Sequence, residues 1–300
     1  MVSERVGAVI VHYMGIQTTL LCIHDLLEQS RPVAPIVVVV QAQEMGAAKA
    51  IQDQFPTIIV LEQNTNTGFP AAVATGMDRL ARANVGVAWI ANPDIRMHPE
   101  ATESLLCGFD TTNGAGKVGA VGPLLANTQS PETIWAAGGI IGHKMCASNA
   151  KAGASVHDFS AQPIQDVDYL PACAMLVKMA AWQDTAGMDA SYFLYYEDVD
   201  FALRLRQCGW TLRLVPTVIV LHEGSANTGA TSDTTAYYML RNRLITARRW
   251  QRPLAFWCST ALDCALMVVT AFIKRTPLRN VLARGFWDGI GLRVGQRPLP

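Results

Sequence analysis

An α/β fold on a largely parallel sheet is what this sequence predicts, and three observations predict it. Residues 6–11, 36–40 and 85–91 are near-continuous apolar runs of the kind found in strands buried on both faces. Stretches with helical periodicity, 16–28, 45–55 and 69–83, alternate with them. The strands are spaced by roughly 10–15 helical residues, which suits βαβ crossovers rather than hairpins.

Taken in order, the first half reads as strand 6–11, helix 16–28, strand 36–40, helix 45–55, strand 57–61, helix 69–83 and strand 85–91. Ligands of such sheets sit beyond the carboxyl ends of the strands. That rule gathers residues 12–14, 41–43, 64–68 and 92–94 around one crevice. After residue 100 the pattern shifts to shorter strands and Gly-rich loops. Residues 118–121 read as a strand, 132–142 as a loop with Trp135 and Gly138-Gly139, and 143–165 as a variable loop. Residues 167–177 are strand-like and 182–187 a short helix ending in Gly187. An aromatic, strand-like block, Tyr192-Phe193-Leu194-Tyr195-Tyr196, then runs into an amphipathic helix that Gly209 can close in a left-handed conformation. A strand at 211–221, a helix at 236–249 and an apolar stretch at 253–273 complete the chain, with a basic, Gly-containing end.

Half of the 300 residues are hydrophobic, enough for a sizeable core and too many for disorder. The formal net charge is zero but unevenly spread. Residues 1–240 hold 13 Lys/Arg against 22 Asp/Glu, whereas residues 241–300 hold 11 against 2. The tail is basic, which points to an anionic partner. Its interleaved apolar and aromatic residues favour a membrane surface, and no nucleic-acid-binding motif accompanies them, so nucleic acid is not expected. Seven cysteines without C-x-x-C spacing read as reduced, buried thiols, and Met1–Val6 lacks the layout of a signal peptide. A cytoplasmic location follows as the expectation, with the inner face of the membrane as its variant.

Three polar groups at strand ends point to chemistry. Asn92-Pro93-Asp94 ends the strand at 85–91. Glu197, Asp198 and Asp200 fall in or just before the first turn of a helix, where free N–H groups and the helix dipole favour negative charge. His222-Glu223-Gly224 ends the strand at 211–221. A carboxylate held beside an aromatic wall can take a proton from an alcohol. Each group also has a plain structural reading: Asp94 as a turn residue, the acidic trio as helix capping with Asp200 paired to Arg204, His222 as an isolated strand-end histidine. His222-Glu223 is not a zincin motif, because Ala226 stands where the second histidine belongs.

Taken together and in this order, the motifs resemble family 2 glycosyltransferases, especially rhamnosyltransferase-like members. The matching pieces are Asn66-Thr67-Gly68-Phe69, Asn92-Pro93-Asp94, Gly119-Ala120-Val121-Gly122-Pro123, Val167-Asp168-Tyr169-Leu170, Phe193 through Trp210, His222-Glu223-Gly224 and Tyr238-Met239-Leu240-Arg241-Asn242-Arg243. The resemblance spans roughly residues 6–250. It implies a GT-A fold, Rossmann-like in binding a nucleotide-sugar, in a single catalytic domain with a mixed sheet over residues 1–250. Residues 251–300 form a partly apolar helical extension. It also implies a dTDP- or UDP-sugar donor, Mg²⁺ or Mn²⁺, inversion at the anomeric carbon and a glycan or lipid-linked acceptor. Asp94 falls in the place of the family's metal motif, with His222 near metal or diphosphate. Asp198 matches the catalytic base, and Glu197 is expected to support the acceptor. Tyr13, Gln41, Asn66, Gly68, Asn92 and Arg241 are the expected donor contacts. Rhamnose from dTDP-rhamnose is the first choice, in cell-surface polysaccharide synthesis.

The departures lie on the donor side. Met14, Gln41-Ala42 and Ala74 stand where the family carries asparagine, Asp-Asn and asparagine. They motivate the alternative of a degenerate transferase kept as a binding or assembly subunit without turnover. Nucleotidyltransferase and dinucleotide oxidoreductase readings fail because residues 12–17 contain no Gly-rich phosphate loop. Trp135 reads equally as a sugar platform or a core residue. The stretch 254–273 is long enough to span a bilayer, but Asp263 at its centre costs about 2.5–3.5 kcal/mol there. A helix packed on the protein, in a homodimer interface or in the membrane surface, is expected instead.

Overall fold

The computed structural model describes residues 4–110, 116–224, 232–250 and 254–297. Met1–Ser3, Ala226 and Pro253, which entered the expectations above, lie outside them.

The first half follows the sequence closely. Strands β1 (Val6–His12), β2 (Val33–Val40), β3 (Ile59–Glu62) and β4 (Val87–Ala91) alternate with helices α1 (Ile16–Leu27), α2 (Ala47–Gln54) and α3 (Phe69–Ala81). Their order across the sheet is β3-β2-β1-β4, all parallel, with His12 paired to Val40 and Val40 to Glu62. The carboxyl ends therefore share one edge of the sheet. Every residue of β1 and β4 is buried, as their unbroken apolar sequences require. Two apolar layers cover the two faces, one packed under α1 and α2, the other under α3 and the later helices.

The second half departs from the sequence reading. A short strand β5 (Ile95–Met97) and helix α4 (Ala101–Leu106) follow the Asn-Pro-Asp turn. Strand β6 (Lys117–Asn127) runs six residues past the expected end. The expected loop at 132–142 contains β7 (Ser130–Ala136), paired antiparallel to β6, and β8 (Gly139–Ile141). The variable loop at 143–165 holds β9 (Ala147–Asn149), α5 (Val156–Ser160) and the start of β10 (Gln165–Asp166). These are pieces of two to seven residues whose existence depends on a pairing partner rather than on local propensity.

The strand expected at 167–177 begins only at Ala174, as β11 (Ala174–Lys178). Pro171 and the site contacts of Ala172 and Cys173 take the preceding residues out of the ladder. Helices α6 (Met179–Asp184) and α7 (Glu197–Gln207), strand β12 (Trp210–His222) and helix α8 (Asp233–Trp250) follow. Ten of the described strands form one mixed sheet, in which β11 runs antiparallel to both β4 and β6 and joins the two halves. Gly209, at φ +81°, provides the left-handed residue that ends α7.

Helices α9 (Leu254–Ile273) and α10 (Arg279–Ile290) form the extension. Gly285 and Gly289, one turn apart, let α10 lie directly on α8: an added Cβ would meet the Tyr237 carbonyl oxygen at 2.9 Å and Leu244 at 2.8 Å. The expectation of buried cysteines is corrected: Cys22, Cys173 and Cys264 are buried, but Cys107, Cys146, Cys208 and Cys258 are exposed, and all seven are free thiols.

Candidate active site

The Asn-Pro-Asp turn leaves β4 with the Asn92 amide N–H donating to the Cys173 carbonyl at 2.7 Å. The chain then enters β5, whose antiparallel pairing sets Ile95 opposite His222 on β12. That register brings Asp94 and His222 together. The Glu223 amide donates to the Asp94 carbonyl at 3.1 Å, and the Asp94 carboxylate lies 3.4 Å from His222 Nε2. Neither atom forms a hydrogen bond, although Asp94 Oδ1 and both His222 ring nitrogens are buried. Trp135 closes the other side, its ring edge-on to His222 at 4.6 Å between centroids.

Buried polar atoms without partners are costly and rare in native folds. A carboxylate oxygen and an imidazole nitrogen aimed at one another without bonding are a donor pair suited to a divalent cation. Among the described residues no group of three or more His, Cys, Asp or Glu converges, so further ligands for a cation at this pair come from outside the protein's acidic, thiol and imidazole groups.

The acidic block is reached by a strained turn, not by the expected strand. Phe193, Tyr195 and Tyr196 have φ of 66°, 65° and 70°, a left-handed region that bulky side chains avoid. Helix α8 holds this turn in place. The Asn242 side-chain amide donates to the carbonyls of Tyr192, Leu194 and Tyr195 at 3.1, 2.8 and 2.7 Å, and Arg241 donates to Tyr192 at 2.7 Å. The next residues, Glu197 and Asp198, open α7.

The two carboxyls differ in environment. The Asp198 carboxylate accepts the Val199 amide N–H at 2.8 Å and the Ala172 amide as well. Burial outweighs these bonds and pushes Asp198 up to about 6. Burial, and then the Asp198 charge, hold Glu197 far above the ordinary carboxylate range; its Oε2 is buried with no partner. Burial thus favours the neutral form of both carboxyls, and the Asp198 charge adds to that on Glu197. Asp200 is a structural residue. It is fully buried and accepts from Tyr192, Arg204, Arg249 and Trp250.

Cys173 ties the two halves of the site. Burial raises its thiol well above the usual range, and the charges of Asp94 and Asp198 both add to that rise. The segment before β11 thus lies between the two groups, its Cys173 carbonyl accepting the Asn92 amide two residues before Asp94 and its Ala172 amide on Asp198. Sequence reasoning missed this segment, read as plain strand; Pro171 was its one signal.

The donor-side residues are arranged differently. Gln41 Oε1 accepts the Thr67 amide at 2.9 Å and its amide group donates to the Thr67 hydroxyl at 3.3 Å. Asn66 Oδ1 accepts the Gly68 amide at 3.0 Å. Gly68, at φ +84°, lies so close to the acidic turn that a Cβ would meet the Phe193 carbonyl oxygen at 2.5 Å. The Phe69 amide, first in α3, donates to that same oxygen. Tyr13 is half-buried beyond β1, and Met14 is exposed beside it.

Arg241 requires a correction. It is fully buried, donates to Gly295, Tyr192 and Asn242, and stacks over Tyr238. A guanidinium so engaged braces the chain end against the acidic turn and does not face an exposed diphosphate.

No protein-family model matches the chain. It is 26% identical over 281 residues to N-acetylglucosaminyl-diphospho-decaprenol L-rhamnosyltransferase of Mycobacterium tuberculosis, a match covering 85% of this chain and 89% of that protein. Galactofuranosyltransferase GlfT2 of the same organism is 25% identical over 54% of this chain and 27% of its own length. Among solved structures, GalNAc-T7 with UDP, GalNAc and Mn²⁺ superposes with a TM-score of 0.66 at 13% identity. That match covers 96% of this chain, which spans 56% of the GalNAc-T7 chain. Mannosyltransferase PcManGT from Pyrobaculum calidifontis, in complex with GDP-Man and Mn²⁺, superposes with a TM-score of 0.57 at 12% identity over 97% of this chain and 88% of its own. The chain has the GT-A fold and resembles family 2 glycosyltransferases of the rhamnosyltransferase-like kind.

Proposed function

We propose that this chain is an inverting glycosyltransferase that moves rhamnose from a dTDP donor to a hydroxyl of a lipid-linked glycan acceptor in cell-surface polysaccharide synthesis. The buried, unpaired Asp94 Oδ1 and His222 ring nitrogens, with the buried Asp198 carboxylate at the head of α7, carry this reading: they set a metal-type donor pair and a proton acceptor on either side of residues 172–173. The similarity to an N-acetylglucosaminyl-diphospho-decaprenol L-rhamnosyltransferase supports the sugar and the acceptor class.

Asp198 takes the proton of the acceptor hydroxyl as its oxygen attacks the anomeric carbon from the face opposite the nucleotide. The new C–O bond forms while the bond from the anomeric carbon to the diphosphate oxygen breaks, and dTDP leaves with its electron pair. Such base assistance is worth about 10²–10⁴-fold in rate. Glu197, raised by burial and by the Asp198 charge, lies beside the base and orients the acceptor. Asp94 and His222 are the residues that would hold Mg²⁺ or Mn²⁺, which supplies positive charge to the leaving diphosphate when bound. Asn92 and Tyr13 line the donor crevice, with Gln41, Asn66 and Gly68 shaping its wall. The reaction belongs at the cytoplasmic face of the membrane, with the 251–300 extension as the peripheral contact; a homodimer is the other role that extension could serve.

A thermal-shift panel of dTDP-, UDP- and GDP-sugars with and without Mn²⁺ tests the donor class. A ligand at about 100 times its dissociation constant stabilises the fold by about 2.7 kcal/mol. Mn²⁺-dependent stabilisation by dTDP-rhamnose above the others is the expected result. Silence with every nucleotide favours the binding-subunit alternative, for which the commitment of Gln41 to Thr67 is the motivating observation.

A further inference from the structure

Among the described residues, nothing covers the outer face of α9. Ala255, Cys258, Leu262, Leu266, Val269 and Ile273 recur at helical spacing along it, all exposed, and Leu262 and Ile273 retain 62% and 75% of their accessible surface. The inner face is held side-on to the body. Asp263, the sole Asp, Glu, Lys or Arg of α9, pairs with Lys144 at 3.0 Å and with Arg243 at 2.7 Å. Trp287 on α10 is exposed as well, at 67%. Basic residues bracket the patch, with Arg248 exposed before it and Lys274 and Arg275 exposed after it.

We infer that α9 and α10 form a platform that lies flat on an anionic lipid surface. The apolar stripe enters the boundary between headgroups and acyl chains, while the flanking cations meet the lipid phosphates. Charge decides between this occupant and a second copy. A symmetric pairing through α9 would bring the exposed Arg248, Lys274 and Arg275 of two copies close to one another. Spanning is opposed by Asp263, whose two ion pairs would be broken and its carboxylate left in hydrocarbon. The inference rests on the membrane-face placement proposed above and specifies its chemistry. The platform also connects to the catalytic turn, because Gly295 beyond α10 donates to Ser191 and accepts from Arg241.

Co-sedimentation of the full chain with phosphatidylglycerol-containing vesicles and with pure phosphatidylcholine vesicles tests it. Binding to the anionic vesicles is expected, at least about tenfold stronger than to neutral ones and weakened by salt. The exposed-face variant Leu262→Glu/Leu266→Glu and the charge variant Lys274→Glu/Arg275→Glu should each lose about tenfold while melting within a few degrees of the parent. Equal binding to neutral vesicles, or unchanged binding by either variant, overturns the proposal. So does resistance of membrane-bound chain to alkaline extraction, which means a span. A dimer that Leu262→Glu/Leu266→Glu dissociates, with no vesicle binding, gives the face to a second copy. Nucleotide-sugar thermal shifts on the same preparations report the donor site separately, so loss of vesicle binding with an intact dTDP-rhamnose shift sinks only the platform.

Discussion

The donor loop at 66–69 and the catalytic side of the crevice use their polar groups in opposite ways. On the donor side Gln41, Thr67, Asn66 and Gly68 satisfy one another, and the Phe69 amide is bonded to Phe193. On the catalytic side Asp94 Oδ1, both nitrogens of His222 and Glu197 Oε2 are buried with no hydrogen bond at all. An unsatisfied buried polar atom costs about 1–3 kcal/mol, and the same pattern recurs at the end of β1, where His12 Nε2 and Glu44 Oε2 lie 3.4 Å apart, both buried and without a hydrogen bond. The first group is a wall; the second is a site. The two meet at the turn 192–196, since Phe193 receives the donor loop and the following residues begin the helix of Asp198.

Breaking the catalytic side should have the largest effects. Asp94→Ala is expected to abolish Mn²⁺-dependent donor binding, a loss of at least about 10²-fold seen by titration calorimetry; affinity that stays Mn²⁺-dependent would remove Asp94 from the metal site. Asn242→Ala removes three bonds to a turn with three left-handed residues. We expect turnover to fall about tenfold, with donor affinity nearly unchanged and stability down by about 2 kcal/mol in urea melts. A rise in donor KM with normal turnover would mean that the turn serves binding rather than the base.

The donor side sharpens the contrast from below. Gln41→Ala should cost about 1 kcal/mol of stability and change donor affinity by no more than about threefold. A larger affinity loss would show that Gln41 faces the nucleotide after all. The smallest effect concerns pH. Asp198 binds its proton more tightly folded than unfolded, so that contribution to stability is full at low pH and is lost as pH rises from the ordinary carboxylate range through about 6. Asp198→Asn should therefore melt slightly above the parent at pH 8, the gap closing toward pH 4. A variant less stable at pH 8 would contradict the burial that raises this carboxyl.

Much of this was readable beforehand, and the limits are physical. Strands β1 to β4 are apolar along most of their length, and α1 and α3 are amphipathic, so local pattern and tertiary role agree. Strand β5, three residues long, exists only because β12 pairs with it, and no local signal announces that. Yet β5 is what brings Asp94 to His222. The acidic trio stood out by residue type, but its aromatic approach looked like a strand because left-handed tyrosines and phenylalanine leave no mark in sequence. Arg241 and Gln41 show the converse: polar residues in the expected places whose hydrogen bonds are committed to the protein itself.

The most direct test is the rate of rhamnosyl transfer from pH 5 to 9, measured for the parent and for Asp198→Asn with donor binding checked in parallel. The parent should lose activity as pH falls through about 6, where Asp198 takes up its proton. The variant should bind donor normally and turn over at least about 10²-fold more slowly across the range. A variant that keeps the parent's rate and its acid limb would show that another group accepts the proton, and that the buried carboxyl at the head of α7 is not the base.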